Sequence, residues 1–189
     1  YPQDLVGQVH ADGEIIAGAW WDTYVLLGND MNTMMTLFTE AFPGLQATAA
    51  NGNEGQAFRD VLLDALQADD TDGNLTNGTP NAAAIVEAFA IHGITLLTNA
   101  ELLHDNLESA PHAEVIDLGA QLVLDLDFLQ FLGEVQLSYR INDDATWTQI
   151  PMTDQGGNDY HGYIPAQPRG TVISYCIAMV DIFQHVTGV

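Results

Sequence analysis

Near Thr95 the spacing of apolar residues changes, and this change constrains the fold more than any other feature of the chain. Before it, apolar side chains recur every three to four residues, the period of a helix with one buried face. After it they alternate, the period of a half-buried strand. A chain that switches period once must divide its core, because helical stripes and pleated strands bury their faces in different layers. The expectation is an α+β chain: a helical part over residues 1–97, a linker over 98–112, and an all-β sandwich over 113–189, its last strand cut short or lost.

In the first part, Asp12 to Leu27 places Ile15, Ile16, Ala19, Trp20, Tyr24 and Leu27 at helical spacing, and Gly28-Asn29 ends the run. Asp12 and Glu14 fall in its first turn, where carboxylates complement the helix dipole. Met31, Met34, Met35, Phe38 and Phe42 form a second stripe, read as core filling, up to Pro43-Gly44. A small polar loop, Gln46 to Gly55, leads to a third helix, Gln56 to Ala68, through Phe58, Val61, Leu62, Ala65 and Leu66. Arg59 in that helix is expected to pair with Asp60 or Asp64. The fourth helix has Thr79 as N-cap, Pro80 at its first position, Ile85, Val86 and Phe89 on its buried face, and Gly93 as its stop.

The linker carries a candidate short helix at Glu101 to Leu107. Alternating runs then cover Glu114 to Asp127, Val135 to Ile141, Trp147 to Met152, Tyr160 to Ile164 and Thr171 to Val180. Turn residues separate them at Asn142-Asp143-Asp144, Gly156-Gly157-Asn158 and Pro168-Arg169-Gly170. Short strands at this spacing suggest a sandwich of immunoglobulin or fibronectin type III character. The single Cys176 rules out an internal disulfide and reads as a buried, inert thiol within Val-Ile-Ser-Tyr-Cys-Ile-Ala-Met.

Charge excludes whole classes of partner. The chain has 26 acidic residues against 3 basic ones, all Arg (Arg59, Arg140, Arg169), for a formal net charge of −23. Displacing counterions from phosphates needs clustered cations, so neither nucleic acid nor an anionic membrane surface is a partner. No apolar run approaches the roughly 20 residues that cross a bilayer. The lack of Lys and the excess of Asp over Glu suggest a surface kept soluble in salt, halophilic in character; an ordinary acidic secreted protein is the alternative. A start at Tyr1, without an initiator Met, reads as a processed protein or a fragment.

Chemistry concentrates at Val9-His10-Ala11-Asp12-Gly13-Glu14, a His at the start of a helix. Helix N-termini offer free N–H groups and a positive dipole to a developing anion, and a His there either donates to an oxyanion or simply caps the helix. Asp4, six residues upstream, is a candidate for fixing the imidazole tautomer. The run Asp69 to Asn77 is a candidate calcium loop through Asp70, Asp72 and Asn74, or else a solvated acidic turn. It is no EF-hand: with Gly73 at the sixth position, Ala68 falls first and Thr79 twelfth. No HExxH zinc motif occurs among histidines 10, 92, 104, 112, 161 and 185, and His104 with His112 makes only a weak pair flanking the linker.

Residues 9–22, Val-His-Ala-Asp-Gly-Glu-Ile-Ile-Ala-Gly-Ala-Trp-Trp-Asp, resemble the "VHxxGEVWAxxLWD" segment of fungalysin-type metallopeptidases, thermolysin-like gluzincins. Phe58 to Ala65 is similar to the "aRDAiLxA" helix of that family, and Ile85 to Ile94 to its closing "IWxAFAxRGLG" helix. Together these cover about residues 1–94. The later part, with Ile150-Pro151-Met152, Tyr160-His161-Gly162 and Ile164-Pro165-Ala166-Gln167, looks like the sandwich appended to secreted bacterial proteases of this kind. The resemblance implies the C-terminal helical subdomain of a secreted zinc endopeptidase, acting on peptide or protein substrates. His10 matches the His that stabilises the tetrahedral intermediate, and Asp4, at a different spacing, the residue that orients it. The zinc ligands are absent here, so a missing N-terminal half is the implied partner and the chain alone is expected to be inactive. A non-catalytic binding or adhesion module on a degenerate peptidase scaffold is the alternative.

Overall fold

The computed structural model describes residues 4–44, 54–98, 100–124 and 126–188. The chain forms two compact units, Tyr1–Asn99 and Ala100–Val189. Among the described residues the first holds four α-helices and the second eight strands in two antiparallel sheets.

Helix α1 spans Val9–Leu26, starting a turn earlier than the apolar pattern suggests. The cause is polar: Gln8 Oε1 accepts from His10 N and Ala11 N, each at 2.8 Å, while the buried Asp12 carboxylate accepts from Val6 N and Gln8 N at 2.9 Å. These bonds satisfy donors that a helix start otherwise leaves open. Gly28 and Asn29 take φ 71° and 65° and close the other end, Asn29 N donating to Tyr24 O.

Helix α2, Met31–Ala41, is capped by Asp30, whose carboxylate accepts from Asn32 N, Thr33 N and the Thr33 hydroxyl. The methionine stripe does not face the core as one. Met34, Leu37 and Ala41 are buried, Phe38 is half-buried, and Met31, Met35 and Phe42 are exposed. The helix is rotated so that the i, i+3, i+7 set centred on Leu37 packs inward.

Helix α3 spans Glu54–Asp69; most of the loop expected before it lies outside the described residues. It buries Phe58, Leu62, Ala65 and Leu66 as the periodicity requires, and also Arg59, whose Nη2 meets Asp60 Oδ1 at 3.3 Å. Helix α4, Ala82–Ile91, starts later than expected, with Asn81 rather than Thr79 as N-cap. The Asp69 carboxylate accounts for the shift: it accepts from the Thr79 hydroxyl at 2.5 Å, Asn81 N at 2.5 Å and Asn81 Nδ2 at 2.6 Å. With Thr79 so engaged, residues 79–81 form a turn and Pro80 precedes the helix. Gly93, at φ 73°, ends it. Trp20 stands edge-on to Phe38 and Phe89, at ring separations of 5.3 and 5.6 Å, and joins α1, α2 and α4 in one core.

In the second unit, β1 (Glu101–Leu103), β2 (Ile116–Val123), β6 (Asp159–Ile164) and β5 (Thr153–Asp154) form one sheet in the order β1-β2-β6-β5. The other has the order β4-β3-β7-β8, from Thr148–Pro151, Leu132–Ile141, Ile173–Asp181 and Val186–Gly188. The candidate helix at Glu101 to Leu107 is therefore a strand followed by an extended segment. Leu102 pairs with Leu122 and is buried while its neighbours are exposed, so alternation decides. Leu118, Ala120, Leu122 and Ile164 of one sheet and Val135, Leu137, Ile177 and Met179 of the other are buried. The sheets approach closely at Gly162, where a Cβ would sit 3.0 Å from Leu137 Cδ2 and Met152 Cγ. Because Ile177 and Met179 are buried, alternation turns Cys176 outward: the thiol is exposed, not buried.

Candidate functional site

His10 lies in the first turn of α1 rather than before it, and is exposed. It does not cap the helix; Gln8 does, and the N–H groups of residues 10 and 11 are spent on that cap. An anion arriving here meets the imidazole, which has no partner among the described residues, rather than a ring of open N–H groups. Asp4 sits in an exposed turn upstream. The buried acid of this region is Asp12, which the sequence reading treated only as a dipole residue. Its role is to hold the turn that carries His10.

One face of α1 stays uncovered within its unit. His10, Glu14, Ala17, Trp21 and Val25 follow each other by three or four residues, and all are exposed, Trp21 by 64% and Val25 by 43%. The opposite face buries Asp12, Ala19, Trp20 and Thr23. Large apolar groups rarely line up on a solvated helix face without a partner.

A pair that sequence reasoning missed ties α1 to α4. His92 Nε2 lies 2.8 Å from Asp22 Oδ2, and the His92 ring rests on Gly18, where a Cβ would come within 2.5 Å of Cε1. A side chain at that crossing would have to displace the imidazole, which glycine avoids. The signal was present in the sequence, a Gly and an Asp four apart, but only the helix crossing identifies their partner.

The acidic loop turns its oxygens on itself. Asp70 Oδ1 accepts from Asp72 N, Asp72 Oδ1 from Asn74 N, Asp72 Oδ2 from Asn77 Nδ2 at 2.8 Å, and Asn74 Oδ1 from Thr76 N and its hydroxyl. The Asn77 amide, with the Asn74 N–H, holds the Asp72 carboxyl below its usual range. As folded, the Asp70, Asp72 and Asn74 side-chain oxygens serve as acceptors that order the turn. Among the described residues no group of three or more His, Cys, Asp or Glu side chains is arranged to hold a metal. Nor do the described residues offer a donor set for the zinc of the resemblance.

His104 and His112 do not form a pair. His104 contacts Gly119 O through Nδ1 at 2.7 Å and the Tyr175 hydroxyl through Nε2 at 2.9 Å, so neither nitrogen has a free lone pair for a metal. His161 lies 2.7 Å from Asp117 Oδ1 and 3.6 Å from Asp159 Oδ1. The hydrogen bond to Asp117 raises its pKa above the ordinary value. Among the described residues no helix is long and apolar enough to cross a membrane. No protein-family model matches the chain, and no curated protein matches it.

Proposed function

We propose that the helical unit is the zinc-free half of a gluzincin-type endopeptidase, and that the exposed face of α1 is where its zinc-binding half docks. The observation that carries this is the alignment of His10 with Trp21 and Val25 on one uncovered stripe. Covering that stripe would place a solvent-facing imidazole at the edge of a dry interface. There a hydrogen bond to a developing oxyanion gains strength as water is excluded. Residues at positions of two separate motifs of the resemblance also meet, one of them a departure from its motif. Asp22 stands at the closing Asp of "VHxxGEVWAxxLWD" and His92 at the Arg of "AFAxRG", and these two side chains form the 2.8 Å pair.

His10 acts as donor to the tetrahedral intermediate, and Gln8 and Asp12 fix the turn that aims it. Zinc, when held by the other half, supplies carbonyl polarisation and an activated water. Residues 1–189 alone have no peptidase activity in this reading, and the enzyme works outside the cell on peptide substrates. The second unit follows as an appended sandwich: the strand order β1-β2-β6-β5 facing β4-β3-β7-β8 matches the A-B-E-D and C′-C-F-G arrangement of immunoglobulin-type domains.

A second reading is a non-catalytic binding module, favoured by the spent N–H groups at the start of α1. Sequencing the gene upstream of Tyr1 separates the two. An in-frame HExxH with a Glu about 20 residues beyond supports the enzyme, and His10→Ala in the full product should then lower kcat by about 10²–10³ with little change in KM. A reading frame without those ligands overturns it.

A further inference from the structure

The second unit contains a cavity of about 350 Å³, within the size range of small-molecule sites. Its roof is the segment 107–113, pinned at both ends. Leu107 N donates to the Tyr175 hydroxyl at 2.9 Å, and Ala113 N donates to Gln167 O at 3.0 Å. The first pin belongs to a hydrogen-bonded chain. The Gly119 carbonyl can only accept, so His104 Nδ1 carries a proton, and Nε2 shares a hydrogen bond with the Tyr175 hydroxyl. Ala113 holds its end at φ 61°, a left-handed conformation uncommon for a residue with a Cβ. The floor is apolar and drawn from both sheets: Leu118 and Ile164 from one, Ile173 and Tyr175 from the other.

The lining also includes Arg169, and the state of that residue is unusual for this chain. Of the 3 Arg against 26 acidic residues, Arg59 pairs with Asp60 and Arg140 lies over the Trp147 ring. Arg169 has neither a hydrogen-bond nor an ion-pair partner among the described residues. Glu108 lines the same cavity and does not pair with it, and His112 completes the polar lining. An unspent guanidinium beside an apolar floor offers a planar fork for a carboxylate. Glu108, with the net charge of −23, disfavours a second negative charge on the ligand.

We propose that this cavity binds a small apolar molecule bearing one carboxylate. Arg169 holds the carboxylate, and the apolar body lies over Leu118, Ile164 and Ile173. The same chemistry is carried by a free carboxylic acid and by the C-terminal residue of a peptide, and the test separates these sources.

The full chain is titrated with 3-phenylpropionate, 3-phenylpropionamide, and N-acetyl-Gly-Phe with a free or an amidated terminus, following the Ile164 and Ile173 methyl resonances. The acids are expected to shift these signals, with the amides weaker by about tenfold or more, the usual scale for a charge-assisted bond. Arg169→Gln should cost the acids the same factor without moving the thermal midpoint, and Arg169→Lys should restore part of it. Tighter binding of the peptide than of phenylpropionate assigns a polypeptide C-terminus, and the reverse order assigns a free acid. Equal binding of acid and amide, an unaffected Arg169→Gln variant, or no shift at about 10 mM, above the affinity range of ligands this small, overturns the proposal.

Discussion

The helical unit and the β unit solve the same problem by different means. Two antiparallel sheets that face each other each bury one side, so the β unit closes its core from its own strands. Among its described residues the buried polar or charged ones are Ser138 and Asp181. Four helices cannot cover all their apolar stripes: Met31, Met35, Phe42, Ile91 and Trp21 remain more than half exposed, whereas in the β unit the side chains exposed to that degree, Leu103, Val115, Val172 and Val186, are all aliphatic. The helical unit instead relies on two buried carboxylates, Asp12 and Asp69, to fix the start of α1 and the turn before α4, and it also buries Thr23 and Arg59 within its helices. Sheets obtain order from register, which alternation specifies strongly. Short helices obtain it from caps and from whatever covers their remaining faces.

The sharpest way to break this comparison is Phe89→Ala. Truncating a fully buried ring against Trp20 should cost the helical unit about 3–5 kcal/mol. Hydrogen exchange of β3 and β7 amides should be unchanged, and equal loss of protection there would mean that the two units unfold as one. Next in size, Asp69→Ala leaves the Thr79 hydroxyl and both Asn81 donors without their acceptor. A loss of about 3 kcal/mol in urea unfolding is expected, with α4 fraying from its first turn.

Asp181 tests the opposite case, a buried acid that costs the β unit stability. Burial raises its carboxyl pKa above 3.8, against the lowering effect of the Phe183 and His185 N–H groups and of the His185 ring. The folded state therefore holds the proton more tightly than the unfolded chain. Stability falls as pH rises from 3.8 through the raised value, and the full cost is present above it. Asp181→Asn keeps an acceptor for both N–H groups and should flatten that part of the unfolding profile; an unchanged slope would show that Asp181 is not its source.

At the surface the effects shrink. His161 gains a partner in Asp117, so its contribution is present below pH 6.5 and is lost as pH rises through the raised folded value. In Asp117→Asn the His161 ring signals should titrate at lower pH than in the wild type. Least of all, Trp21→Ser should change stability by no more than about 0.5 kcal/mol in this chain, because its ring is largely in solvent. A larger loss would show that the exposed face of α1 contributes to the unit by itself, and would remove the reason to seek its partner.

Much of the framework was legible along the chain. The change of period near Thr95 separates helices from strands, and Gly28-Asn29 and Gly93 end α1 and α4 where the left-handed conformations fall. The candidate site was legible only in part. His10 could be placed near a helix start, but Gln8 takes the donors expected to serve an anion, and nothing in the periodicity ranks Gln8 above His10 as a cap. The methionine stripe misled because five apolar residues on one arc do not say which part of the arc faces inward.

What the sequence by itself determined is what depends on near neighbours: the class of each segment, its breakers, the charge of −23, and the absence of a zinc motif. What the tertiary structure alone decided is every relation across a distance in the chain. It paired Asp69 with Asn81, set His92 on Gly18 beside Asp22, turned Cys176 outward, and left Arg169 without a partner among the described residues beside a cavity. The physical reason is that local propensity is a sum over adjacent residues, whereas the partner of a buried polar group is fixed only when packing removes water and leaves it one place to bond.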